Sequence, residues 1–156
     1  MVAVEWGIKL THRLQCAVIV YPDNNAVWPH EIRERGTFST AEITGLAAVF
    51  QYMMDTDQTT RMRITSFYWN PSSSRFEVYW SRSPNNTMTP LTTSTLQAAK
   101  DRIPAMADGD SAILLETETS YSAAFNVGIE DQVFTNFIVT RPRFLTRICL
   151  TGETCS

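Results

Sequence analysis

The 156-residue chain lacks most of the sequence features that mark enzymes, metal proteins and membrane-spanning proteins. It has two histidines, no CxxC pair, and none of the motifs of serine hydrolases, zinc proteases or nucleotide-binding loops. No apolar run reaches about 18 residues, so no segment of the sequence as given is long enough to span a membrane. We therefore expect a protein without enzymatic activity, and without a metal or cofactor.

The balance of charge excludes a further class of partner. Lysine and arginine total 13 against 16 acidic residues, which gives a formal net charge of −3. Because a protein that holds nucleic acid needs a basic surface for the phosphates, we expect no nucleic-acid partner. Hydrophobic residues make up 44% of the chain, enough for the core of one ordinary domain. We predict a single domain over residues 1–156.

Helical spacing of apolar residues is visible in the first third of the chain. Segment 5–20 places its apolar residues broadly on one face, and we predict an N-terminal helix over 1–20. Residues 22–37 are predicted to be an irregular connection that leads into a sheet-and-helix body over 38–156. Ser39 and Glu42 match the capping box that opens a helix, and apolar residues at helical spacing continue to Met54.

Alternating apolar and polar residues predict four strands in the rest of the chain. Segments 62–69 and 76–81 flank a short polar turn and predict a β-hairpin. A short helix around Leu96 is followed by predicted strands at about 111–121 and 133–141. The expected fold is α+β, with an antiparallel sheet of about four strands and the helices packed on one face.

Two acidic patterns have both a catalytic or binding interpretation and a structural one. Glu116 and Glu118 share one face of a predicted strand, where paired carboxylates carry out acid–base chemistry in some enzymes. We favour a solvated strand face, because no histidine is near them in sequence. Asp108 and Asp110 flank a glycine as in some calcium loops, but the carboxylate spacing of an EF-hand is absent, so we favour a turn.

Aromatic and cysteine residues supply the remaining candidate sites. Trp69 and Trp80 lie on the predicted hairpin, either packed in the core or contacting a protein partner. Cys149 and Cys155 flank a short segment with a glycine, and we favour a disulfide between them over two free thiols. Cys16 lies among apolar residues and is expected to be buried rather than nucleophilic.

Four segments of the chain resemble one family of pilus proteins. They are Val4-Glu-Trp-Gly-Ile-Lys-Leu-Thr-His-Arg-Leu-Gln-Cys-Ala17, the hairpin segments 63–69 and 76–82, Ile103-Pro-Ala-Met-Ala-Asp-Gly-Asp-Ser-Ala-Ile-Leu-Leu-Glu116, and Phe137-Ile-Val-Thr-Arg-Pro-Arg-Phe144. Together they are similar to the TadE/TadG-like pilus-assembly proteins. The more specific motifs are Thr-Arg-Pro-Arg-Phe and the Asp-Gly-Asp strand opening.

This resemblance implies a structural role with no catalytic residues to carry over. It implies a pilin-like, bacterial, membrane-anchored minor pilin or pseudopilin that helps to assemble a tight-adherence (Flp-type) pilus for adhesion. The domain is then exported, on the periplasmic face of the inner membrane, and its partners are other pilus-assembly or pilin proteins. Residues 1–20 are then the end of a membrane anchor that is largely missing from this chain.

Candidate contact residues complete the expectations. Arg141, Arg143 and Phe144 follow the last predicted strand and are candidates for a protein–protein interaction, together with Trp69 and Trp80. The structural alternative is that these arginines pair with the acidic residues of the 108–110 turn. The functional alternative is an exported ligand- or glycan-binding module that uses exposed aromatic side chains.

Overall fold

The fold is known from a computed structural model that describes residues 36–54, 59–121, 132–142 and 145–153. The helices are α1 (Thr40–Met54) and α2 (Thr93–Gln97), and 3₁₀ turns lie at Pro84–Asn86 and Lys100–Arg102. The strands in chain order are β1 (Thr37–Phe38), β2 (Thr60–Asn70), β3 (Arg75–Arg82), β4 (Ser111–Tyr121), β5 (Gln132–Thr140) and β6 (Cys149–Leu150). The predicted helix over 1–20 lies outside the described residues.

The main sheet has four antiparallel strands, as the sequence predicted, and the structure places them in the order β3-β2-β4-β5. Together with the two helices it makes an α+β fold. In the part of the chain that the structure describes, no helix is long and apolar enough to cross a membrane.

The start of α1 has the capping box that the sequence predicted. The backbone N–H of Ser39 donates to Glu42 Oε2 at 2.6 Å, and the backbone N–H of Glu42 donates to Ser39 Oγ at 3.2 Å. These reciprocal bonds satisfy backbone N–H groups that have no partner inside the helix, so they fix where α1 begins.

The β2–β3 hairpin contains a β-bulge that the alternating pattern did not reveal. Ser66 pairs with Trp80 but the next residue, Phe67, pairs with Val78, so Tyr79 is the extra residue. The bulge brings Tyr79 and Trp80 to the same face of the sheet, although they are neighbours in sequence. Trp80 therefore lies on the opposite face from Val78, whereas a simple alternation along β3 would put both on one face.

One face of the sheet, which we call the Ile64 face, carries the side chains of Met62 and Ile64 on β2. These residues pack against α1 and against the two-residue strands β1 and β6. The buried members of this core are Phe38, Ile43, Met62, Ile64, Trp80 and Leu150. This core therefore joins residues from the two ends of the described chain.

The opposite face, which we call the Phe67 face, has its own core and its own helix. Its buried members are Phe67, Phe76, Leu96, Ile103, Ala112 and Leu114, and Leu96 belongs to α2. The two helices thus lie on opposite faces, and the prediction that they pack on one face is wrong. The physical reason is that β2 carries apolar side chains on both faces, and each face needs its own cover.

A second, very short sheet was not predicted. β1 pairs in parallel with β6, with the N–H of Cys149 donating to Gly36 O at 2.8 Å. The segment predicted as irregular therefore ends in a strand at Thr37. Gly36 has φ +62°, and a Cβ there would lie 3.0 Å from Leu145, so both its backbone and the contact favour glycine.

Candidate functional site

Trp80, one of the predicted contact residues, is a core residue. It is 4% exposed, and its ring meets Phe38 edge-on with centroids 6.2 Å apart. Its indole N–H donates to Ile148 O at 2.9 Å, which gives the one polar group of the ring a partner. Trp80 therefore fastens the C-terminal segment (residues 145–153) and is not an exposed contact.

Trp69 lies on the other face of the sheet and is half-buried. It meets Phe76 edge-on at a centroid distance of 5.0 Å, and the Lys100 ammonium lies 5.7 Å from its ring. Because Trp69 and Trp80 belong to opposite faces, they cannot line one binding site together.

Tyr68 and Tyr79 form a stacked pair on the Ile64 face, with centroids 4.5 Å apart and planes 22° from parallel. The bulge creates this pair, and sequence alternation alone gave no indication of it. The Tyr68 hydroxyl donates to Glu77 Oε2 at 2.6 Å. This bond, with further hydrogen bonds from Asn70, Ser73 and Arg75, lowers the pKa of Glu77 to about 2, while the carboxylate raises the pKa of Tyr68.

The C-terminal segment is held on the Ile64 face by side chains of the sheet. Ser66 Oγ donates to Ile148 O at 3.1 Å, beside the indole of Trp80, and Ser111 Oγ donates to Thr146 O. The guanidinium of Arg147 lies 5.7 Å from the ring of Tyr79. These contacts bond the carbonyls of Thr146 and Ile148, so the segment is held to the sheet at both positions.

Arg141 is engaged within the domain. Its guanidinium lies 3.0 Å from Asp110 Oδ2 and donates to Ala105 O at 2.7 Å. This is the structural alternative that the sequence left open for the arginines after the last strand. Even with these two contacts, the Arg141 side chain remains 48% exposed. Arg143 and Phe144 lie outside the described residues.

Glu116 and Glu118 each face an arginine on the neighbouring strand. Glu116 Oε2 lies 2.7 Å from Arg63, and Glu118 Oε2 lies 2.6 Å from Arg61. Two neighbouring cross-strand ion pairs neutralise both carboxylates and support the register of β2 against β4. The Asp108–Asp110 segment is a turn, and Gly109 has φ +77°.

Cys149 is disulfide-bonded. Both other cysteines, Cys16 and Cys155, lie outside the described residues, so the pairing with Cys155 stays a prediction. In the ranges that the structure describes, no three histidine, cysteine, aspartate or glutamate side chains are grouped as a metal site would require.

One edge of the main sheet, at β3, is covered. The N–H of Val78 donates to Thr93 Oγ1 at 3.1 Å, and Gln97 Nε2 donates to Phe76 O at 2.6 Å, so the α2 segment satisfies edge backbone groups. Arg75, Glu77 and Arg82 add charge along β3, and the bulge twists it. Charges, bulges and a covering helix are the usual means by which proteins prevent an edge strand from pairing with another chain.

The opposite edge, at β5, shows none of these features among the residues that the structure describes. The nine residues of β5 include no charge, proline or glycine, and its ladder with β4 runs without a bulge. Val133 is 57% exposed, and among the described strands none pairs with β5 on the side away from β4. Among the described residues, the β5 edge is therefore the less protected of the two edges, a difference that sequence analysis did not identify.

Comparison with known proteins adds no relationship to this geometry. No family model, no curated protein and no solved structure matches the chain.

Proposed function

We propose that this chain is a non-catalytic, pseudopilin-like subunit that takes part in assembling a tight-adherence pilus. In this proposal the sheet-and-helix body faces the periplasm, an N-terminal helix holds it at the inner membrane, and other pilus-assembly or pilin proteins are its partners.

One observation carries this proposal: three of the four segments that resemble the family supply strands of a single sheet, while the fourth, residues 4–17, lies outside the described residues. The hairpin segments lie in β2 and β3, the segment ending at Glu116 enters β4 through the Gly109 turn, and the segment beginning at Phe137 supplies the end of β5 as far as Thr140. Three of the segments that resemble the family thus lie mainly in the strands of the main sheet and not in scattered loops. The disulfide at Cys149 is consistent with export, because disulfides persist in oxidising compartments.

Deletion of the gene tests the proposal directly. We expect fewer surface pili by electron microscopy and weaker adhesion, both restored by the wild-type gene. Normal piliation and adhesion in the deletion strain would overturn the proposal.

Complementation with two matched arginine variants tests the contact residues. Arg141→Ala and Arg61→Ala each remove a half-exposed ion pair, with Asp110 and Glu118 respectively. If Arg141 contacts a pilus protein, Arg141→Ala restores fewer pili than Arg61→Ala at equal protein level. Equal restoration by both variants would remove Arg141 from the contact.

The alternative of a ligand- or glycan-binding module has less support. It requires exposed aromatic rings that converge on one site, whereas Trp80 is buried and Trp69 lies on the opposite face.

A further inference from the structure

The stacked pair of Tyr68 and Tyr79 brings two phenol rings into contact across the β2–β3 hairpin. The ring centroids are 4.5 Å apart with planes 22° from parallel, and both side chains are half-buried. The bulge creates this contact, because it turns Tyr79 to the face that carries Tyr68. Two tyrosine rings in contact are the reactants of one known protein modification, the carbon–carbon bond of dityrosine.

Tyr68 also has a bonded acceptor for its phenolic proton. Its hydroxyl donates to Glu77 Oε2 at 2.6 Å, a length typical of an O–H···O⁻ bond. Ser73 and Arg75 donate to Glu77 Oε1, and the pKa of Glu77 is about 2, so this carboxylate is ionised at neutral pH. A phenol that loses an electron becomes a strong acid. The carboxylate therefore receives the proton as the electron leaves.

Tyr79 has a different electrostatic environment. The guanidinium of Arg147 lies 5.7 Å from the Tyr79 ring. A positive charge beside a ring opposes the removal of an electron from it, because it is attracted to the electron density of the ring. We therefore expect the first radical to form at Tyr68, with Tyr79 as the ring that lies in contact with it.

We propose that Tyr68 and Tyr79 are a modification site, at which a haem peroxidase with hydrogen peroxide joins the two rings into a dityrosine within one chain. Each tyrosine gives one electron to the oxidant and its phenolic proton to a base, which is Glu77 for Tyr68 and water for Tyr79. The two unpaired electrons form a bond between the ring carbons beside the hydroxyl-bearing carbons. The hydrogens of those carbons then move as protons, through water, to the phenolic oxygens.

The electrons and protons balance in this reaction. The two tyrosines lose two electrons and two protons in total, and these convert one hydrogen peroxide to two water molecules. The product ties β2 to β3 by a bond that thiols do not reduce, unlike the disulfide at Cys149. This modification is independent of the proposed pilus function.

Peroxidase treatment of the purified full chain tests the proposal. We expect the monomer to acquire dityrosine fluorescence and to lose the mass of two hydrogen atoms. Peptide mapping is expected to find the peptides of Tyr68 and Tyr79 linked. The crosslinked monomer should also unfold at a higher urea concentration than the untreated chain, because the bond restricts the unfolded hairpin.

Three variants separate the parts of the site. Tyr79→Phe keeps the stacked ring but removes its phenol, so it should abolish dityrosine in the monomer while circular dichroism stays native. Tyr52→Phe is the matched control: it removes a phenol that is 85% exposed and should leave the crosslink within the monomer unchanged. Glu77→Gln keeps a hydrogen-bond acceptor without a base, and should slow crosslinking by about tenfold or more.

Two results would overturn the proposal: a treated monomer without dityrosine, and a crosslink within the monomer that persists in Tyr79→Phe. Crosslinking of Glu77→Gln at the wild-type rate would overturn the role of Glu77 as the proton acceptor. Because these measurements use the purified chain, they stand apart from piliation in the deletion strain, so failure of the crosslink and failure of the proposed function are separable.

Discussion

The two faces of the main sheet are covered by parts of the chain at very different sequence distances. On the Ile64 face, the hydrogen bonds that hold the C-terminal segment join residues 35 to 82 positions apart. On the other side, the hydrogen bonds that fasten segment 91–97 to β3 join residues 10 to 21 positions apart. The Phe67 face is therefore closed by a local segment, whereas the Ile64 face is closed by α1, which is near β2 in sequence, and by the distant C-terminal segment.

This difference has a consequence for folding. Closing a longer loop costs more conformational entropy, so contacts between distant residues tend to form late. We expect the Phe67 face to be structured in the folding transition state and the C-terminal segment to join the Ile64 face afterwards. Substitutions on each face test this order.

Phe67→Ala is expected to have the largest effect on stability. Phe67 is fully buried and its ring meets Phe76 edge-on at 5.6 Å, so truncation leaves a cavity and lowers the free energy of unfolding by about 3–5 kcal/mol. If this face forms first, much of the loss appears as slower folding in stopped-flow kinetics. Tyr52→Ala, at a side chain that is 85% exposed, is the control. A normal folding rate with faster unfolding would contradict the proposed order.

The difference between local and distant contacts also explains how much of the fold the sequence predicted. The capping box at Ser39, the β2–β3 hairpin and the turn at Gly109 each depend on residues within a few positions of one another. Such features leave a pattern in sequence because local hydrogen bonding and backbone preference determine them. All three predictions were confirmed.

The features that prediction missed depend on contacts between distant residues. β1 and β6 have two residues each, too few for an alternating pattern, and they exist because they pair with each other. The bulge at Tyr79 changes the face of Trp80 without any proline or glycine to mark it. The β5 edge was missed because the sequence does not show which strand is outermost.

Trp80→Phe tests the Ile64 face and is expected to cost about 2 kcal/mol. It removes buried ring volume and the indole hydrogen bond to Ile148 O, whose net value is about 1 kcal/mol. Ser66 still donates to that carbonyl, which limits the loss. If the Ile64 face closes late, the loss appears mainly as faster unfolding.

Trp69→Phe is the matched control for this substitution, because Trp69 is half-buried on the other face. We expect it to cost less than Trp80→Phe. Circular dichroism in urea measures both variants without depending on tryptophan fluorescence. A larger loss at Trp69 than at Trp80 would contradict the assignment of Trp80 as the tryptophan that fastens the C-terminal segment.

The disulfide at Cys149 belongs to the end of the chain that closes the Ile64 face. Peptide mapping without reduction is expected to find Cys149 linked to Cys155 and a reduced Cys16. Cys155→Ser should then lower the free energy of unfolding by at most about 2 kcal/mol, since the closed loop is short. A peptide that links Cys149 to Cys16, or three reactive thiols in the denatured, unreduced protein, would refute this pairing.

The smallest expected effect is a pH dependence at Glu77, on the rim of the Ile64 face. Hydrogen bonds, first of all from Tyr68, lower the pKa of Glu77 from 4.5 to about 2 in the folded protein. The unfolded chain thus binds a proton at higher pH than the folded one, so the stabilisation is complete above about pH 4.5 and is lost as the pH falls through about 2.

Glu77→Gln should remove this dependence of the unfolding free energy on pH. Tyr68→Phe should narrow the pH range over which the stabilisation is lost, because it returns the pKa of Glu77 toward 4.5. Urea titrations at several pH values between 2 and 6 measure both effects. An unchanged acid profile in both variants would show that the Tyr68–Glu77 bond does not contribute to stability. The Ile64 face would then depend on its apolar core and on the bonds to the C-terminal segment alone.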